Sequence, residues 1–339
     1  MDIKQEAIKS KILTDSYEIL KHLPMGISLP IWEEFHKYIL HDLNYFKAKS
    51  IILEYFGNPA GHVLVYSVDD KILYFGYFGV ANHNQKYITL LLDELIRFAK
   101  EKKYKTIRGP INIPTVIYGW GFMKEGSEED TFVGKPLNPP IYQKIFFEKG
   151  FQVQLEEFSW EGHYLKFDPY KIERLDFSQY EYFTPKNWEE LMALKPHFLI
   201  INTQNMPESG KVTPGIEDLF DNYADYVVKY GGFYMLFFVR YKPTGKIVAC
   251  GSLLPNPFRK DSRGRYDSFV AFTWAVHRRH RKNNLIILMW GSTSLNTWKK
   301  KLRYLSGVTG NDEALLFSKF AKLVNLQERR RHLVLELSL

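Results

Sequence analysis

Apolar and polar positions recur along this chain with two periods, and the switches between them mark its elements. The first fifty residues read as helix over 8–22 and 29–45, interrupted by the turn Pro24-Met25-Gly26 and by Pro30. Residues 51–56 and 62–68, rich in Ile, Val and aromatics, predict two strands joined by the turn Gly57-Asn58-Pro59-Ala60-Gly61. A tight turn at Asp69-Asp70-Lys71 leads into a third strand, Ile72–Val80. Over 87–102 the apolar residues Leu91, Leu95, Phe98 and Ala99 keep a helical period, and the lysines at its end suit the helix dipole. Thr106-Ile107-Arg108 begins another strand, stopped by Gly109-Pro110. Residues 125–130 read as a polar loop, 141–149 as a helix closed by Gly150, and 151–167 as strands.

The second half repeats this order. Residues 188–194 and 216–229 read as helices, 233–241 as a strand, Pro243-Thr244-Gly245 as a turn and 246–254 as its partner strand. A charged loop over 255–266 precedes the strand Ser268–Val276, a helix over 285–300, a strand over 303–308, a helix over 313–320 and a strand over 333–337. Both halves therefore run hairpin, strand, loop, long helix, strand, short helix, strand. The spacing agrees: Phe78 to Asn112 is 34 residues, and Val276 to Asn311 is 35. Residue identity between the copies is low, so the repeat is one of architecture. Two domains follow, 1–168 and 169–339, with a short linker over 167–179.

Composition supports a folded chain. Of 339 residues, 45% are hydrophobic and 25% charged, enough apolar material for sizeable cores. Cys250 is the only cysteine, which excludes an intrachain disulfide and a cysteine metal cluster. No apolar run approaches the roughly 20 residues that span a bilayer, and the polar start of the chain does not read as a signal peptide, so a cytoplasmic protein is expected. Metal binding finds no support, since His36 and His41 are five apart and off one helical face. Phosphate-loop, nucleophile-elbow and kinase signatures are also missing. The net charge of +8 is uneven: residues 1–170 hold 20 Lys and Arg against 22 Asp and Glu, and the remainder 26 against 16. A basic half points to solvated faces or to an anionic partner, either a phosphorylated cofactor, a nucleic acid or a membrane surface. The densest run, Arg278-Arg279-His280-Arg281-Lys282, lies between a strand and a helix, where anions are commonly held.

Several phrases recur in a recognisable succession. The first half carries Phe75-Gly76-Tyr77-Phe78, Ile107-Arg108-Gly109-Pro110-Ile111-Asn112, Asn138-Pro139-Pro140-Ile141-Tyr142 and Glu148-Lys149-Gly150-Phe151. The second carries Gly245-Lys246-Ile247-Val248-Ala249-Cys250-Gly251, the run from Val276 through Arg281 to Asn284, and Asn311-Asp312-Glu313-Ala314. In order and spacing the chain resembles the GNAT superfamily of N-acetyltransferases, arranged as a tandem. That resemblance implies an α/β (α+β) fold of two GNAT-like domains, each a twisted, mostly antiparallel mixed sheet flanked by helices.

It further implies an N-acyltransferase that takes acetyl-CoA or another acyl-CoA as co-substrate and a small-molecule or peptide amine as acceptor, with no metal. Two alternatives stay open: an aminoacyl-tRNA-dependent transferase, for which the basic half would suit RNA, and a non-catalytic binding module. In that family the cofactor loop points backbone N–H groups at the CoA pyrophosphate, with glycines allowing the close approach. Here Arg281, Asn284 and Ile286 hold the three motif positions, so the arginine is kept and both small residues are lost. The expected cofactor contacts are Trp274, Ala275, Val276, Arg278, Arg279, Arg281, Lys282, Asn283, Asn284 and Asn311. The first-half loop, Ala81-Asn82-His83-Asn84-Gln85-Lys86, has no glycine, so at most one domain is expected to bind cofactor. For the acid that protonates the leaving thiolate, Tyr142 is the nearest first-half equivalent, with core packing as its other reading, and Ser318 holds the matching place in the second half. Asp267 and Glu54 are candidate bases beside predicted strands.

Overall fold

Most strands of this chain arise where Ile, Val and aromatic side chains run together over several residues, and helices such as the one over 85–101 where apolar residues recur every three or four. The computed structural model describes residues 8–126, 130–163, 175–205, 219–310, 314–323 and 325–339. The chain opens with β1 (Ile8–Leu13), α1 (Ser16–His22), α2 (His36–Tyr45), β2 (Lys49–Tyr55), β3 (Asn58–Tyr66) and β4 (Ile72–Val80). Then come α3 (Gln85–Glu101), β5 (Thr106–Gly109), α4 (Thr115–Tyr118), β6 (Phe122–Glu125), α5 (Ile141–Glu148) and β7 (Gln152–His163). The remainder holds β8 (Tyr180–Phe183), α6 (Trp188–Asn205), α7 (Phe220–Tyr230), β9 (Leu236–Tyr241), β10 (Lys246–Pro255) and β11 (Ser268–Val276). It closes with α8 (Leu285–Lys299), β12 (Tyr304–Gly310), α9 (Ala314–Leu323) and β13 (Gln327–Ser338).

These elements gather into two compact units, unit 1 with Met1–Glu157 and Arg330–Leu339, and unit 2 with Phe158–Arg329. The last ten residues thus belong with the first half of the chain, where a linear division at 168/169 gives them to the second.

Unit 1 is built on a sheet ordered β1-β2-β3-β4-β5-β13. Only β4 and β5 run parallel within it, from Ile72↔Thr106 to Tyr74↔Arg108. The C-terminal strand pairs antiparallel with β5, Leu335↔Gly109 to Ser338↔Thr106, and carries Leu333 and Leu335 into the core. That core packs α3 and α5 on one face of the sheet through Leu91, Leu95, Phe98, Ile145 and Phe146, against Val63, Val65, Phe75 and Phe78. β3 and β4 are buried along almost their whole length, because both faces of the sheet are covered.

One expectation is corrected here. Residues 8–13 form a strand, not the start of a helix: they add to the free edge of β2, from Ile8↔Tyr55 to Leu13↔Ser50. The helix waits for its cap, Asp15, whose Oδ1 accepts from Tyr17 N (3.1 Å) and Glu18 N (2.9 Å). Lys9 and Lys11 leave this outermost strand polar, a composition that discourages further edge pairing. The hairpin after β2 is also tighter than anticipated. Phe56 and Gly57 alone make the turn, both with left-handed φ (49° and 79°), so Asn58 and Pro59 already belong to β3.

Unit 2 repeats the plan with a sheet ordered β8-β9-β10-β11-β12, antiparallel except for β11 beside β12. The helices α6 and α7 pack on β10, and α8 packs on β9 and β11. α6 runs on through Pro196, well past the residue where the sequence places its end, because Phe198, Leu199 and Ile201 beyond the proline are buried. Among the described residues no helix is long and apolar enough to cross a membrane, and no group of three or more His, Cys, Asp or Glu is placed to hold a metal ion.

Candidate functional site

In unit 2 the parallel pair β11/β12 is in register from Ser268↔Tyr304 only as far as Ala271↔Gly307. Both strands then continue, β11 to Val276 and β12 to Gly310, without pairing to each other. The N–H of His277 donates to Val248 O (2.8 Å) on the β10 side. In an antiparallel ladder that alternation turns Ala275 toward β10 and the amides of Trp274 and Val276 toward the opened edge. Phe272, Thr273 and Trp274 are half-buried there, while Ala275 and Val276 are buried. The Trp274 ring is fixed against Phe237 and Trp290, with centroids 5.1 Å and 5.7 Å away.

The loop that follows is a tight helical turn, Arg278–Asn283, begun when His277 Nδ1 accepts from Arg279 N (3.3 Å). Asn284 then takes the left-handed conformation, φ 56° and ψ 27°, the role a glycine would otherwise fill. In that conformation its side chain does not cap α8. Arg281 folds back, with Nε donating to Val276 O (3.3 Å). Arg278, Arg279 and Lys282 stay exposed. Asn283 Nδ2 donates to the Tyr180 hydroxyl (2.6 Å), which also meets His280 Nδ1 (3.0 Å). Tyr180, Tyr241, Arg279, His280, Lys282 and Asn284 line a polar cleft of ≈510 Å³ beside this loop. Burial lowers the His280 pKa, and the charges of His277 and Arg279 lower it further.

Unit 1 has the same divergence with a different outcome. Past Tyr74↔Arg108 the gap beside β4 is closed by the chain's own segment. Ile111 N donates to Phe75 O (2.6 Å), Tyr77 N donates to Asn112 Oδ1 (2.7 Å), and Asn112 Nδ2 donates to Tyr118 O (2.9 Å). The Tyr77 hydroxyl donates to Ile113 O (2.7 Å). Gly76 is required by this closure, because a Cβ there would collide with Ile111 O. Further along, Val80 N donates to the Tyr142 hydroxyl (3.2 Å), which also meets His83 Nδ1 (2.7 Å). The helix start is occupied too: Asn84 Oδ1 caps α3 by accepting from Lys86 N (2.9 Å) and Tyr87 N (3.4 Å).

The remaining candidates are not gathered with the basic loop. Tyr142 is a buried residue of unit 1, 2% exposed, and burial raises its hydroxyl pKa. Ser318 Oγ donates to Leu315 O (2.8 Å) within its own helix, α9. Asp267 precedes β11 at the end opposite Val276 and pairs with Arg259 (2.6 Å), whose guanidinium lies 4.1 Å over the Tyr304 ring. Glu54 pairs with Lys11 across β1 and β2 (2.5 Å). Asn311 lies outside the described residues. Tyr180 went unsuspected in the sequence, where only the short aromatic alternation Tyr180-Glu181-Tyr182-Phe183 announces β8.

Neither a protein-family model nor a curated protein matches the sequence. Solved structures do resemble the fold. A glucosamine N-acetyltransferase region of a fungal multi-domain beta-N-acetylglucosaminidase aligns over 97% of this chain with a TM-score of 0.64 at 16% identity, and the chain spans 38% of that protein's length. A tandem GNAT protein from the clavulanic acid biosynthesis pathway aligns over 97% of this chain and 98% of its own, with a TM-score of 0.61 at 11% identity. A GCN5-related N-acetyltransferase from Sphaerobacter thermophilus aligns over 97% of this chain and 95% of its own, with a TM-score of 0.58 at 7% identity. The chain has a tandem GNAT-like fold.

Proposed function

We propose that this protein is an acyl-CoA-dependent N-acyltransferase that holds its donor in unit 2 and acylates an amine on a small molecule or peptide. The observation that carries this reading is the unequal treatment of backbone amides in the two units. In unit 1 the amides of Tyr77 and Val80 and the α3 start are each taken by a side chain, Asn112, Tyr142 and Asn84. In unit 2, among the described residues, no side chain accepts from Trp274 or Val276 N–H, and Asn284 leaves the start of α8 uncapped.

Those amides suit a donor that carries secondary amides in its arm and a pyrophosphate behind them. The opened edge at Trp274 and Val276 would pair with the arm, as one strand pairs with the next. The uncapped start of α8 would meet the pyrophosphate, with Arg279 and Lys282 adding charge. When bound, the donor supplies a thioester carbonyl. The acceptor nitrogen attacks that carbon and forms the amide bond, the carbon–sulfur bond breaks, and the proton lost from the amine balances the one the departing thiolate takes up to become the thiol.

Thermal stabilisation by acetyl-CoA tests the reading. Wild type should melt higher with excess acetyl-CoA, and the double variant Arg279→Ala, Lys282→Ala should lose most of that shift, whereas Lys86→Ala should keep it. Unchanged melting of wild type with acetyl-CoA, long-chain acyl-CoA and CoA alike would overturn the proposal.

A further inference from the structure

A second cavity in unit 2 lies at the end of β11 opposite the basic loop. Ser268 begins the strand and Val276 ends it, eight steps of about 3.3 Å, so the two places stand about 26 Å apart along the sheet. The cavity is ≈200 Å³. A dry cavity on the order of 150 Å³ accepts one benzene-sized ring, so this one suits a single-ring ligand rather than a nucleotide.

Its walls combine aromatic surface with positive charge. Tyr230, Tyr234 and Tyr266 line it, and each ring carries a lysine ammonium: Lys229 at 5.2 Å, Lys300 at 5.7 Å and Lys260 at 5.2 Å from the respective centroids. Lys300 is itself a lining residue. Among the described residues no Asp or Glu lines the cavity and none of the three lysines is in an ion pair. Two carboxylates of the preceding loop are paired with arginines, Asp261 with Arg265 (2.7 Å) and Asp267 with Arg259 (2.6 Å). The polar lining is provided by Asn256 and Ser268, both 1% exposed, where Asn256 Nδ2 donates to Ser268 Oγ (3.0 Å) and leaves the serine proton to donate elsewhere. Burial pushes the Tyr234 hydroxyl up to about 12, so it remains a protonated donor.

We propose that this cavity binds a small one-ring aromatic carboxylate, its ring among the three tyrosines and its carboxylate at Lys300, at a site separate from the acyl-donor cleft. Three ammonium groups with no acid paired to them among the described residues favour an anion over a neutral or cationic ring. The tyrosine faces favour a planar ring over a compact inorganic ion.

Isothermal titration of the full chain with benzoate and with benzylamine tests this. Benzoate should bind saturably with a dissociation constant on the order of 1 mM, as expected for so small a ligand. Benzylamine, of the same shape and opposite charge, should not bind. Lys300→Ala should weaken benzoate about tenfold and Lys300→Arg should retain most of the affinity. The double variant Arg279→Ala, Lys282→Ala should bind benzoate as wild type does, which separates this site from the donor cleft. Benzylamine binding as tightly as benzoate, an unaltered Lys300→Ala, loss of benzoate binding in the Arg279/Lys282 variant, or no saturation by about 10 mM would each overturn the proposal.

Discussion

Asn112 accepts a hydrogen bond from the backbone N–H of Tyr77 through its side-chain oxygen, 2.7 Å long and 35 residues apart in sequence. Tyr77 sits at φ 46°, where β4 bulges out of register with β3 between His62 and Leu64. A bulge leaves an amide without a ladder partner, and a side chain from the following loop supplies one. The same loop residue also ties down Tyr118 O, so Asn112 joins the bulged strand to the segment that closes the gap beside β4.

Asn112→Ala should therefore destabilise the protein, because it orphans a buried donor and a buried acceptor at once. The expected cost is about 2 kcal/mol, and Tyr142→Phe, which removes the acceptor of Val80 N, should cost about 1 kcal/mol. Urea unfolding measures both. Neither change should alter acetyl-CoA binding, and a folded Asn112→Ala that no longer binds it would move the donor to unit 1.

At Asn284 the left-handed backbone makes a different demand. Asn284→Gly should preserve both stability and acetyl-CoA binding, whereas Asn284→Val, β-branched, should cost about 1–2 kcal/mol and weaken binding. Parallel melting and titration of the two variants decides this, and equal behaviour of Gly and Val would remove the role assigned to the turn.

Two buried histidines make stability fall in acid. His62, bonded to Tyr77 O (2.9 Å) and Ser50 Oγ (2.8 Å), has its pKa lowered to about 4 by burial, and burial together with the Lys135 charge lowers that of His332 to about 3. Both titrate below the ordinary value of 6.5, so the unfolded chain binds more protons between that value and the folded one. Stability should be flat above pH 7 and drop by about 2 kcal/mol per histidine between pH 7 and pH 5. Urea midpoints across that range check it. His62→Gln should flatten the slope, and a stability independent of pH would contradict the account.

The carboxylate of Asp267 is engaged by Arg259 at the end of β11 away from Val276. Asp267→Asn should accordingly leave the pH profile of kcat/KM for acyl transfer unchanged, while lowering stability by about 1 kcal/mol through the weakened pair. Loss of the acidic limb of that profile, which reports an essential base, would restore Asp267 as a base.

Much of the fold was legible because it is written in local periods. The strands Ile72–Val80 and Ser268–Val276 follow from unbroken runs of strand-forming residues, and α3 follows from apolar spacing ahead of terminal lysines. Residues 8–13 misled because two lysines among isoleucines fit either period, and only the free edge of β2 makes them a strand. α6 outran its expected end because burial of Phe198 and Ile201 outweighs one proline.

The candidate site was legible only in part. Its basic residues could be read directly, since the charge run and the strand-to-helix position are adjacent in sequence. Whether amides there are open or taken could not, because Asn84 and Asn284 are the same residue at the same kind of helix start. One caps its helix and the other turns left-handed.

The sequence by itself determined most of the order of the elements, the doubled plan, the lone cysteine and the concentration of cations in the second half, since each is read from the residues and their near neighbours. The tertiary structure decided which unit β13 completes, that Asn112 reaches Tyr77, and that Tyr180 meets His280 and Asn283. Those contacts join residues far apart along the chain. Their partners are chosen by which strand edge or buried amide is left unsatisfied once the local elements have formed, and no periodic signal in the sequence records that choice.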